Sequence, residues 1–573
     1  MSVGLDNIKN FRSSNRDKLL IFFSLFLFNL VFFRFQNLVF NNDLVFSGND
    51  FTYEIFITKL ASEGNFFGIS KNVGWPGGFA VWANPLFGFG PYYLSYTLGT
   101  LFSSLSIYQI YFIVLSAGIS LNAVSAYWMV EKEFTNRFYP IITGLIVGIS
   151  PFGLMNIGHM PVAWMFYPIL FIGVAFRLSR KQINYKKALF ILFISGIFSP
   201  LWWSVVVLFI SLLITISYAI IWKVSKENLK DWFFVSIGVA ISIIPTLILI
   251  VLSRNYSGTG ARYPWQSNVF GGRFTDAFLS SPYLNIQFSL LEKFSEGVSP
   301  EAKINSVGFV LGVCVLVGLI YVLNNEKSKV LNLPEIFYKL TIVFLLFFVS
   351  GGLGNFQAGV FVLFGQVSPA RVWFRLIIIL GILGFIIFLK YIASKNPSYK
   401  LLGFILFFSV FVSLVDLKYL DRIDYVSKDS LIESKPTYFL DSNTKNCPVL
   451  QVPVDTYPLM QDFLGDNGSK FGYNQMIPYT LSSNNKWSLV GTPGDKYWNN
   501  YKNLPTNINV SNIQLIQSAG FCAILFDKDF SKWQIERKAG IDFKQGQWPG
   551  LSVDLPQINF ENSRYQVYLI VNY

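Results

Sequence analysis

Three carboxylates, Asp43, Asp50 and Glu54, lie in the segment FNNDLVFSGNDFTYEIF (Phe40 to Phe56), directly after the first apolar run of membrane length. A carboxylate at the outer lip of a span suggests chemistry at the bilayer surface, because a positioned carboxylate can take a proton from a reacting group. Arg371 and Arg375 stand at the outer end of a late apolar run, and Arg254 and Arg262 flank the start of a long polar connection. A guanidinium is a planar fork that suits bidentate binding of phosphate. His159 is the only histidine in 573 residues, so it cannot make a histidine-based metal site alone. The stretch GWPGGFAVWANPLFGFGPYYL (Gly74 to Leu94) adds Trp75, Trp82, Tyr92 and Tyr93 on an irregular, Gly- and Pro-rich backbone. Such rings favour the headgroup level of a membrane, and they also make platforms for the faces of sugars.

The elements that must position these residues are set by composition. Hydrophobic residues make up 53% of the chain and charged residues 13%, and the mean hydropathy is +0.46; soluble domains carry roughly 25% charged residues. Phe alone contributes 59 residues, which a lipid-facing surface tolerates better than a soluble core. The apolar runs predict a polytopic α-helical membrane protein with about eleven spans, each long enough to cross a ~30 Å hydrocarbon core. They cover 19–36, 106–130, 138–156, 160–178, 187–199, 201–222, 232–253, 307–324, 338–352, 373–390 and 401–417.

Every second connection is then short and basic: Lys9, Arg12, Arg16 and Lys18; Lys132 and Arg137; Arg177 to Lys187; Lys223 to Lys230; Lys327 to Lys339; Lys390 to Lys400. The positive-inside rule puts all of these, and the N-terminus, in the cytoplasm. The net charge of +13 is thereby explained without a nucleic-acid partner. Arg34-Phe35-Gln36 follows the first run with no small-residue cleavage site, which predicts a retained span.

Two domains follow from this layout: 1–420 in the membrane, with an outer loop over 37–105, and an extracytoplasmic domain over 421–573. The tail alternates apolar and polar residues in CPVLQVPV (Cys447 to Val454), FCAILFD (Phe521 to Asp527) and RYQVYLIV (Arg564 to Val571). NVSNIQLIQSAG (Asn509 to Gly520) reads as a helix, with Ser511 as a possible cap and Gly520 at its end. A helix leading into an apolar strand predicts a small α/β domain. Cys314 reads as a packing residue inside a span. Cys447 and Cys522 could pair if their strands are parallel neighbours.

Several motifs recur here in an order that resembles the GT-C superfamily of integral-membrane glycosyltransferases, and within it a bacterial group with an exported C-terminal domain. They are SGND (Ser47 to Asp50), GWPGG (Gly74 to Gly78), Gly158-His159, ARVWFR (Ala370 to Arg375), QVP (Gln451 to Pro453) and SSNNKWS (Ser482 to Ser488). Asn49 stands between the Gly and the Asp, and Asn84 stands where a second acid would follow Gly78. The resemblance implies an inverting transfer of a sugar from a polyprenyl-phosphate donor to an extracytoplasmic glycan or lipid-linked acceptor at the bacterial inner membrane. It implies Asp50 as catalytic base, with Glu54, His159, Arg371, Arg375, Arg254, Arg262 and Trp75 as substrate-binding residues. No metal ligand is assigned and no cofactor is implied with certainty; a divalent cation such as Mg or Mn stays open.

Each residue also has a plainer role open to it. Asp50 could be a solvated acid or a helix N-cap, His159 incidental, Arg371 and Arg375 interfacial anchors, and the Trp and Tyr rings a membrane-interface belt. A polysaccharide polymerase would lean on the arginines more than on the acid. A flippase or transporter would call for ionisable residues in mid-span, of which these runs hold almost none, and for repeated halves, which are not seen. No Walker loop, dinucleotide-type Gly motif or Cys/His cluster is present, which disfavours ATP-driven transport and nucleotide-sugar donors.

Overall fold

The computed structural model describes residues 2–41, 43–45, 49–75, 78–81, 88–220, 226–253, 307–324, 373–418, 425–453, 456–457, 475–488, 490–491, 505, 507–532 and 552–570. The chain opens with α1 (Ser2–Phe32) and the short α2 (Phe35–Phe40). Then come α3 (Asn49–Leu60), strands β1 (Leu44–Val45), β2 (Ile69–Ser70) and β3 (Phe79–Ala80), and α4 (Phe89–Leu101). The membrane part continues through α5 (Ile107–Val130), α6 (Phe138–Gly148), α7 (Pro151–Met155), α8 (Met160–Ala163) and α9 (Phe166–Ser179). It is completed by α10 (Tyr185–Phe198), α11 (Leu201–Ile220), α12 (Lys226–Ser253), α13 (Gly308–Asn324), α14 (Ile377–Ser394) and α15 (Tyr399–Lys418).

Among the described residues, six helical stretches are long and apolar enough to cross a membrane: Ile107–Val130, Phe138–Gly158, Met160–Ser179, Lys230–Ile248, Ile377–Ser394 and Tyr399–Leu417. Of the other expected spans, 19–36, 187–199, 201–222 and 307–324 fall on α1, α10, α11 and α13, and 338–352 lies outside the described residues. The expected continuous helices over 138–156 and 160–178 are each broken. The first breaks where Ser150 caps a new helix with Pro151 at its first position, and the second breaks at Trp164–Met165, between α8, which Pro161 opens, and α9. Proline removes a helical N–H and clashes with the preceding turn, so it starts helices more readily than it continues them. The outcome is a pair of interrupted helices whose bend carries His159.

The two ends of the bundle differ in chemistry. At one end Lys18 and Arg177 both pair with Glu131, at 2.9 and 2.8 Å, and Arg180 and Lys390 both pair with Glu133 at 2.7 Å. Basic residues from α1, α9 and α14 thus gather on the connection after α5, as expected if these connections share one side of a membrane. At the other end the exits of α1 and α15 are tied together. The Tyr425 hydroxyl donates to the Phe33 carbonyl at 2.6 Å, and β1 pairs with β4 (Val426–Ser427). Phe404, Phe407, Phe408 and Phe411 on α15 are exposed, a surface that lipid would cover.

The tail contains α16 (Ser434–Asn443), α17 (Ile477–Leu481) and α18 (Ile513–Ser518). Its strands are β5 (Pro448–Val452), β6 (Thr456–Tyr457), β7 (Lys486–Trp487), β8 (Val490–Gly491), β9 (Asn507–Asn509), β10 (Ala523–Asp527), β11 (Ser552–Asp554), β12 (Phe560–Glu561) and β13 (Tyr565–Leu569). The main sheet runs β12-β13-β10-β5-β7, parallel between β10, β5 and β7 and antiparallel at β13. Side chains alternate between its faces, as strand geometry requires. Val449, Ala523, Leu525, Tyr565 and Val567 join the core shared with the membrane helices. Leu450, Val452, Ile524, Tyr568 and Ile570 pack with Ile513 and Ile516 of α18.

The expected helix over Asn509 to Gly520 is present as α18, and Gly520 ends it at φ 86°. Ser511 does not cap it, because both its N–H and its hydroxyl donate to Asn509 Oδ1. Since β5 and β10 are parallel neighbours, Cys447 and Cys522 meet just before the starts of these two strands, and they form a disulfide with Cα atoms 5.8 Å apart.

Candidate functional site

Helix α3 carries the first group of candidate residues. Asp50 is its second residue, inside the first turn and not at the cap position. Glu54, one turn later, is fully buried. A carboxylate with no access to water needs a strong hydrogen-bond donor, and Tyr92 supplies one, with its hydroxyl 2.8 Å from Glu54 Oε2. Burial first, and Glu54 second, push the Tyr92 phenol well above its usual range, so the phenol keeps its proton and donates.

Tyr92 reaches this position because α4 docks tightly on neighbouring backbone. A Cβ on Gly90 would collide with the Phe198 carbonyl, and Gly88 bridges to Pro200. Tyr93 joins a different group, stacking on Phe89 at 5.4 Å and edging Phe66 at 5.6 Å.

The turn Asn156–Gly158, which leads into His159, packs directly against α3. Phe51 meets Tyr111 edge-on at 5.0 Å, and the Tyr111 hydroxyl in turn bonds the Ile157 carbonyl. His159 is half-buried, and its carbonyl accepts from Val162 N–H at 2.8 Å. The structure therefore brings the acid-bearing helix and the histidine turn together, with Tyr111 of α5 touching both.

Arg375 is almost fully buried in the turn that opens α14, with its guanidinium carbon 5.8 Å from the centroid of Trp202. Trp202 packs on Trp203, whose indole N–H donates to the Val162 carbonyl at 3.0 Å. Val162 lies on α8, directly after His159. Arg375 and the histidine turn thus share one region through two tryptophans. Arg371, Arg254 and Arg262 lie outside the described residues, as does Trp82.

Two candidates are tied up elsewhere. Asp43 is exposed, with Lys428 at 3.8 Å, as part of the β1–β4 seam. Trp75 docks on the tail and not beside Tyr92. Its backbone N–H donates to the Trp487 carbonyl at 3.1 Å, and Lys486 Nζ lies 4.6 Å from the centre of its ring. It packs on the α18 side of the sheet, which differs from the membrane-belt arrangement expected of these rings.

Tyr92 figures in the sequence only as an interface or sugar-stacking ring, and three further residues with clear roles are not among the sequence candidates. Tyr92 is the partner of Glu54. Asp416 is fully buried near the C-terminal end of α15, where it accepts the Phe309 N–H at the start of α13; a lone acid closing an apolar run was the available signal. Lys59 donates to the carbonyls of Tyr479 and Ser482, and the Tyr479 hydroxyl donates to Glu63 at 2.6 Å. Burial, opposed by Glu63, lowers the Lys59 ammonium below its usual value. Burial, reinforced by Glu63, raises the Tyr479 phenol. Nothing local in the sequence marks the Lys59–Tyr479 pairing.

Among the described residues, no three His, Cys, Asp or Glu side chains are grouped so as to hold a metal ion. No family model and no curated protein matches this chain.

Proposed function

We propose that this chain is a membrane glycosyltransferase of the GT-C type, working at the outer face of a bacterial inner membrane, with its N-terminus in the cytoplasm and its tail domain outside. The observation that carries this is the packing of α3, which bears Asp50 and Glu54, against the turn that bears His159. The buried Arg375 beside Trp202 adds a cation to the same end of the bundle.

In this mechanism the acceptor hydroxyl attacks the anomeric carbon of a polyprenyl-phosphate sugar. Its oxygen forms the new C–O bond while the bond from that carbon to the phosphate oxygen breaks, so the configuration inverts. The hydroxyl proton passes to Asp50. Glu54 is engaged by Tyr92, and position 50 lies one turn before it on the same helix face. The polyprenyl phosphate departs as an anion, and Arg375, with Arg371, stabilises the charge that develops on it. His159 contacts the phosphate or the sugar. The acceptor is a glycan or a lipid-linked saccharide of the cell envelope.

Purified protein in lipid nanodiscs, supplied with undecaprenyl-phosphate sugars and an acceptor, tests this directly. Asp50→Asn should lower transfer by about 100-fold or more, the usual contribution of a general base. Undiminished transfer by Asp50→Asn, with loss in Arg371→Ala, would favour a polysaccharide polymerase instead.

A further inference from the structure

Opposite faces of α3 serve different neighbours. At 3.6 residues per turn, positions 50, 54 and 58 share one face, and Phe56 and Lys59 lie on the other. The second face belongs to the C-terminal domain. Phe56 meets the Tyr479 ring edge-on at 5.4 Å. The Lys59 ammonium donates to the carbonyl oxygens of Tyr479 at 2.6 Å, Ser482 at 2.5 Å and Thr480 at 3.5 Å. It also lies 3.6 Å from Glu63 and 4.6 Å from the centre of the Tyr479 ring. These carbonyls close α17, where a helix leaves its last acceptors without intrahelical partners.

The segment after α17 is fastened in turn to the domain and to the outer loop. Ser482 and Asn485 both donate to Asp441, at 2.7 and 2.8 Å. The Trp487 backbone N–H donates to the Asn72 carbonyl at 2.8 Å, and the Trp75 backbone N–H donates back to the Trp487 carbonyl. The outer loop is therefore gripped twice, at the end of α3 by α17 and at Asn72 to Trp75 by β7.

We propose that the C-terminal domain is a clamp that sets the position of the acid-bearing face of α3, with Lys59 as the positioning residue. Lys59 touches no reacting atom; it holds the helix from the face opposite Asp50 and Glu54. Its catalytic consequence rests on the glycosyltransferase assignment, whereas the clamp itself does not.

The test is Lys59→Met, which keeps the aliphatic stem and removes the donors, with Lys59→Arg as the conservative rescue. Both are read in the full chain in nanodiscs by hydrogen exchange and by sugar transfer. Lys59→Met should speed amide exchange across residues 49–60 by roughly 10-fold or more, the usual scale for hydrogen bonds from a charged donor. Exchange in α5 and α14 should not change. It should lower kcat while leaving the donor KM unaltered, and Lys59→Arg should recover most of both losses.

Unchanged exchange over 49–60 overturns the clamp whatever the activity. Faster exchange with undiminished kcat overturns the positioning role. If the wild-type chain transfers no sugar, the assignment of function falls and exchange alone decides the clamp. Should Lys59→Met not be recovered folded, Lys59→Gln, which shortens the side chain and removes its charge but stays polar, is judged by the same exchange and the same two outcomes.

Discussion

Deleting one oxygen atom probes the centre of the candidate site. Tyr92→Phe keeps a fully buried ring in place and removes the hydroxyl that donates to Glu54 at 2.8 Å. Glu54 has no exposed surface, so water cannot replace the lost donor. A hydrogen bond to a charged group contributes about 1.5–3 kcal/mol, and 1.4 kcal/mol corresponds to tenfold. Opening of α3 away from α4 should therefore become roughly 10- to 150-fold easier.

Hydrogen exchange over residues 49–60 in the full chain reads that change directly, because exchange reports the free energy of local opening. A double-mutant cycle with Glu54→Gln then isolates the pair. The coupling should exceed about 1 kcal/mol, well above the 0.3–0.5 kcal/mol scatter of independent sites. Unchanged exchange in Tyr92→Phe, or a cycle additive within that scatter, would show that the pair does not hold α3 in place.

Two further outcomes concern packing and pH. A Cβ on Gly384 would collide with the backbone carbonyl of Cys314, where α14 crosses α13, whereas one on Gly403 meets nothing within 4 Å. Gly384→Ala should cost about 1–3 kcal/mol by overpacking and lower the thermal midpoint in detergent, while Gly403→Ala should not; equal midpoints would sink the close-approach account. In the tail, Arg564 gives its bidentate contact to Asp527 and only a 3.3 Å contact to Glu433. Burial therefore outweighs Arg564 at Glu433 and raises its pKa above 4.5. A carboxyl with a raised folded value contributes stability that is full below about pH 4.5 and is lost as pH rises through that folded value. Glu433→Gln should remove this decline from the pH profile of tail stability, measured by pulse proteolysis of the full chain; parallel profiles would refute it.

Some of this molecule could be read residue by residue. Apolar length and the basic connections marked the membrane helices, and Lys18, Arg177, Arg180 and Lys390 do gather at one end of the bundle. Period-two patterning marked β5, β10 and β13, because strand and helix periodicities are local properties of the chain. The short turn holding His159 between 138–156 and 160–178 was legible as well, but its direct packing on α3 was open in the sequence and decided only by the fold. Whether Cys447 could meet Cys522 turned on strand order, which no local pattern states.

The working contacts of the site belong to the folded chain alone. Glu54 and Tyr92 are separated by 38 residues, and Lys59 and Tyr479 by 420. Each pair forms because buried charge must find a partner wherever the chain's path supplies one. Hydropathy and spacing chose which segments enter the membrane and which form sheet. The route of the backbone chose which acid is engaged by Tyr92, which lysine grips the tail, and why Trp75 faces a protein domain and not a lipid headgroup.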